Sequence, residues 1–147
     1  MKKSISLTQE KKAELEQELA ELIAERPAIT ERIATARAFG DLSENEDYSA
    51  ARAEQKVCEG RILEIQDILK NAKIIRNVSR SKVSIGSKVS IDMAGKTFTY
   101  SIVDPVEADP LNAKISNASP LGKLIMNKTT GEDFDFNGRK CKILAVE

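Results

Sequence analysis

Two mirrored heptad seams constrain this chain more than any other feature. Leu15, Leu19, Leu22, Arg26, Ile29, Ile33 and Ala36 recur alternately four and three residues apart, a coiled-coil stripe interrupted only by Arg26. Tyr48, Ala51, Gln55, Cys58, Ile62, Ile65 and Leu69 form a second stripe of the same kind. Leu15 with Leu69, Leu19 with Ile65, Leu22 with Ile62, Arg26 with Cys58, Ile29 with Gln55, Ile33 with Ala51 and Ala36 with Tyr48 all have residue numbers that add to 84, which puts a fold point at residue 42. An antiparallel helical hairpin requires that relation. About 30 residues per arm, at about 1.5 Å rise, make a rod on the order of 45 Å long. From Thr8 to Asn71 the chain is rich in Ala, Glu, Leu, Ile, Lys and Gln and holds one proline, Pro27. Pro27 removes a backbone donor and is expected to kink the first arm without ending it, because the seam resumes in phase at Ile29.

Composition narrows the chemistry available to such a rod. The 147 residues include no histidine, which excludes imidazole acid/base work, Ser-His-Asp chemistry and most zinc sites. There is no tryptophan and there are only six other aromatic residues, two Tyr and four Phe, so an aromatic-walled small-molecule pocket is not expected. The 23 basic and 23 acidic side chains cancel, so attraction to nucleic acid or to an anionic membrane must be local. Cys58 and Cys141 lack metal or redox spacing and read as buried, reduced thiols. Met1 to Leu7 carries lysines without an apolar stretch, and nothing approaches 18 consecutive apolar residues, so a cytoplasmic protein without membrane contact is expected.

The fold point carries the chemistry. Phe39 to Arg52 reads F-G-D-L-S-E-N-E-D-Y-S-A-A-R, with Asp41, Glu44, Glu46 and Asp47 inside seven residues. Capping accounts for part of this: Ser43 with Glu46 has capping-box spacing, Asp41 with Glu44 offers the same geometry two residues earlier, and acids at a helix start are favourable by about 0.3–1 kcal/mol each. Capping does not explain why Asp41 and Glu44 crowd at the end of a long lever. Their hard oxygens suit Mg²⁺, yet the segment lacks EF-hand spacing and has too few ligands for a closed site, so a partner would have to supply the rest.

Beyond about Val78 the period changes from helical to alternating. Val83, Ile85, Val89 and Ile91 alternate around Gly86; Phe98, Tyr100 and Ile102 alternate again; Asn137-Gly138 is a two-residue hairpin signal. Ser119-Pro120 reads as a helix N-cap with proline at the first helical position. The pattern predicts a small α+β domain over 82–147, a polar linker at 76–81 and the hairpin over 1–75.

G-D-L-S-E-N followed by D-Y-S-A-A-R resembles the tip motif of the bacterial GreA/GreB transcript-cleavage factors, nearer in character to GreA. The likeness extends over nearly the whole chain: L-T-Q-E at Leu7 to Glu10, R-P at Arg26 and Pro27, E-A-D-P at Glu107 to Pro110, K-I-S at Lys114 to Ser116 and S-P-L-G at Ser119 to Gly122. It implies a coiled coil inserted through the secondary channel of RNA polymerase and an FKBP-like C-terminal domain docked on the channel rim, with Ser119 and Pro120 in the docking region. It further implies that Asp41 and Glu44, with Ser43 assisting, help hold a Mg²⁺ jointly with the polymerase so that backtracked RNA is cleaved. Arg37 and Arg52 fall where the family places a basic patch for the nascent RNA 3′ end; as residues alone, they equally read as ordinary surface arginines. The factor would then be a monomer that lends carboxylates to the polymerase and takes no small-molecule substrate. A prolyl isomerase is not expected without a tryptophan to floor its pocket. Two other readings stand beside this one: a channel-binding inhibitor, and a coiled-coil adaptor or chaperone outside transcription. The sequence departs from the family at Ala118, where Asn or Asp is common, and in a shorter closing segment after Met126.

Overall fold

The computed structural model describes residues 4–41, 45–76, 78 and 80–147. In chain order it contains β1 (Ile5–Leu7), α1 (Gln9–Arg37), α2 (Glu46–Asn71), β2 (Ala72–Ile74), β3 (Lys88–Met93), β4 (Lys96–Val103), two short 3-10 turns at Pro105–Glu107 and Pro110–Asn112, β5 (Lys114–Ser116), α3 (Pro120–Ile125), β6 (Asp133–Phe136) and β7 (Arg139–Val146). A long N-terminal helical region is thus followed by a strand-rich domain. Among the described residues no helix is long and apolar enough to cross a membrane.

Lys12–Asn71 forms one compact unit, the hairpin. Ile29, Ile33, Ala51, Cys58 and Ile62 are buried together, with Leu19, Leu22 and Tyr48 packed on them. Six cross-helix contacts fix the register: Glu18 with Arg61, Leu22 with Cys58, Ala36 with Asn45, Arg26 with Glu59, Arg37 with Tyr48, and Arg32 with Glu54. Their numbers add to 79, 80, 81, 85, 85 and 86, which brackets the 84 read from the seams. Arg26, the polar break in the first seam, turns outward and forks Glu59 through Nε and Nη2 at 2.8 and 2.9 Å. Arg61 does the same to Glu18 at 2.6 and 2.9 Å. Exposed pairs of this kind are screened by water, so they set register more than stability. At the far end of the second seam Ile68 is buried and Leu69 only partly so, a shift of one position.

α1 runs unbroken through Pro27. Pro27 is exposed, and the carbonyl left without its helical donor belongs to Ile23, on the solvent side of the helix at 42% exposed. Cys58 donates its thiol to the Leu22 carbonyl at 3.5 Å, and burial, ahead of the neighbouring Glu59, pushes its pKa up. Cys58 is therefore a packing thiol.

The other unit joins Ala72–Glu147 to the segment ending at Lys11. Five strands run in the order β5-β4-β3-β7-β6, antiparallel except for the parallel β4–β5 pair. Val89, Ile91, Met93, Ile102, Phe134, Cys141, Ile143 and Val146 line one face and pack with Leu121 and Ile125 of α3. Asn137 and Gly138 take φ of 51° and 77° between β6 and β7, as the dipeptide requires. Ala94 and Gly95 do the same, at 51° and 89°, between β3 and β4.

Three details differ from the sequence-based expectation. The strand expected from Val83 begins only at Lys88: Ser84 and Ser87 close a turn first, with the Ser84 amide donating to Ser87 Oγ at 2.9 Å. Residues before Lys11 belong with the sheet unit, because β1 pairs in parallel with β2. Glu107, 3% exposed, accepts from the Thr8 amide at 3.2 Å and hydroxyl at 2.6 Å. Within the segment read as a linker, Val78 packs with Ile75 against Gly86, where an added Cβ would come within 2.9 Å of both side chains.

Candidate functional site

The hairpin tip is built by how the two helices end. α1 closes through Phe39 N–H to Ala36 O and Gly40 N–H to Arg37 O, both 3.2 Å, and Gly40 takes φ of 101°, a left-handed position that a side chain would strain. α2 opens at Glu46 with Asn45 before it. Asn45 Oδ1 accepts the Tyr48 amide at 3.0 Å, the N-cap bond, while its Nδ2 donates to the Ala36 carbonyl at 2.7 Å. One side chain thereby satisfies an orphan donor of α2 and adds a second donor to the Ala36 carbonyl that closes α1. The sequence offered Ser43 or Asp41 for this task; Ser43 lies outside the described residues, and Asn45 accepts this bond.

Asp41 follows Gly40 and is exposed. Glu44 and Ser43 lie outside the described residues. Arg37 stacks its guanidinium over the Tyr48 ring, 5.8 Å from the centroid, a cation–π contact that draws it onto α2. Arg52 stands one turn beyond Tyr48, hydrogen-bonded to Gln55. Two tip residues went unread in the sequence. Asn45 is legible in hindsight, since Asn directly before a helical run is a favoured cap. Phe39 is 77% exposed and walls a hollow of about 340 Å³ between α1 and α2.

In the sheet unit, Ser119 caps α3 as expected: its Oγ accepts from Gly122 N–H at 3.0 Å and donates to Ser116 O at 2.6 Å, while Pro120 is exposed at the first helical position. Gly122 must be glycine, because a Cβ there would sit 2.0 Å from the Ser116 carbonyl oxygen.

A helical hairpin with an acidic tip, followed by a sheet unit of this topology, defines a class of transcription factors. The solved structure of the transcription factor Gfh1 matches at a TM-score of 0.50 and 26% identity, covering 100% of this chain and 99% of that one. The family model "Transcription elongation factor, N-terminal" matches residues 5–74, and "Transcription elongation factor, GreA/GreB, C-term" matches residues 78–147. Transcription elongation factor GreA of Oenococcus oeni is 45% identical over 135 residues, 88% of this chain and 83% of that protein; GreA of Caldanaerobacter subterraneus is 44% identical over 137 residues, 90% and 87%. The chain belongs to the GreA/GreB family of transcription elongation factors.

Proposed function

We propose that the hairpin enters the secondary channel of RNA polymerase and presents Asp41 and Glu44 to the active centre, stimulating Mg²⁺-dependent cleavage of the backtracked RNA 3′ end. The observation that carries this is Asn45. It caps α2 and ties it to the end of α1, and the exposed Asp41 lies in the turn that this bond closes. Two carboxylates fit a shared cation and not a private one: they supply hard oxygens, but far fewer than the six or so that Mg²⁺ takes. Held between the tip and the polymerase, the ion would activate water and neutralise charge developing on the phosphate. On this reading Asp41 and Glu44 orient that ion and its water, Ser43 assists by a hydrogen bond, and Arg37 and Arg52 meet RNA phosphates. The chain itself is then a monomeric cytoplasmic factor and no nuclease, and Ser119 and Pro120 lie on the face that docks on the channel rim.

The test uses halted, backtracked polymerase complexes with labelled RNA 3′ ends. Wild type is expected to release short 3′ fragments, and Asp41→Ala/Glu44→Ala to bind equally well and release none. Binding by both without release by either would favour a channel-blocking inhibitor. No binding by either would favour an adaptor outside transcription.

A further inference from the structure

We infer that the hollow beside the tip receives a single nucleobase, that of the extruded RNA 3′ nucleotide; the inference rests on the cleavage reading above. The hollow lies within the hairpin, and its volume of about 340 Å³ is at the small end of ligand sites, which run from about 300 Å³. Phe39 stands beside it with three quarters of its surface in water, held by the backbone bonds that close α1 and two residues from Asp41. Ala36, Ala50 and Ala51 give the hollow a side-chain-poor floor. A flat π-system is what such a floor and an aromatic wall admit, and stacking on an aromatic ring accepts any base. The rim is polar: Thr35 offers a hydroxyl, Asp47 a carboxylate, and the Arg32–Glu54 ion pair both a donor and an acceptor. A base edge carries donors and acceptors to match. An aliphatic or phenyl side chain of a protein partner would cover the floor but leave these rim groups desolvated and unmatched, which disfavours it.

The experiment places a photoactivatable thio-nucleobase at the RNA 3′ end of backtracked complexes and adds the full-length factor. With wild type, a crosslink to a peptide containing Phe39 is expected. Phe39→Ala is expected to lose that crosslink and to need on the order of tenfold more factor for half-maximal cleavage, the size of one lost stacking contact. Phe39→Tyr, which keeps the ring, should restore both. Ala50→Leu, which fills the hollow and leaves Phe39 in place at an exposed helical position, should show the same loss as Phe39→Ala. Should wild type stimulate cleavage while the crosslink falls on polymerase alone and all four proteins cleave alike, the hollow is not a base site. A photoreactive side chain at position 39 that captures only polymerase protein would also overturn it, assigning the hollow to a protein partner. Absence of cleavage by wild type would instead sink the cleavage reading itself.

Discussion

Asn45 links the two helices at the tip. Its oxygen caps one helix and its amide bonds the Ala36 carbonyl near the end of the other, so one side chain joins both halves of the turn. Asn45→Ala removes both bonds at once, and the expected loss is about 1–2 kcal/mol of hairpin stability, a cap plus one hydrogen bond between the helices. Asn45→Asp keeps the capping oxygen and loses only the donor, so it should fall between the two. Urea unfolding followed by far-UV circular dichroism distinguishes them; equal midpoints for all three would show that the side chain is not what holds the turn.

At the scale of elements, α2 carries one residue that local physics does not favour. Gly60 sits mid-helix and exposed, with open space where a Cβ would be. Gly60→Ala should stabilise the hairpin by about 0.5–1 kcal/mol through helix propensity and reduced freedom of the unfolded chain, read as a raised unfolding midpoint. A lower midpoint would mean that the space is not open. The hairpin was legible because seven pairs of seam positions obey one sum rule, and a periodic signal over sixty residues outweighs Arg26 and Pro27. Shorter features were not. β1 and β2 are three residues each, too brief for any period, and they pair across the whole hairpin. The turn at Ala94-Gly95 has glycine in its second position only, so Ala94 adopts a left-handed φ that alanine seldom takes. At the tip, Ser43 with Glu46 forms a stronger capping signal than a lone asparagine, which hides the bond from the Tyr48 amide to Asn45. The exposure of Phe39 could not be read at all, since a phenylalanine near a helix end reads equally well as buried.

For the whole molecule, overall neutrality conceals a division of charge. Residues 1–67 carry 10 basic and 15 acidic side chains, a net of −5, and residues 68–147 carry 13 and 8, a net of +5. The acidic half is the one that bears Asp41 and Glu44, so its field adds to the attraction of the tip for a divalent cation. The central claim, that the tip acids recruit Mg²⁺ to the polymerase, is tested most directly by the Mg²⁺ dependence of transcript cleavage in backtracked complexes, with and without the factor. Wild type should shift half-maximal cleavage to lower Mg²⁺, and Asp41→Asn/Glu44→Gln, which keeps the shape and removes the charge, should lose the shift while still competing for the polymerase. An unchanged Mg²⁺ dependence with wild type, or an equal shift with the double variant, would contradict it.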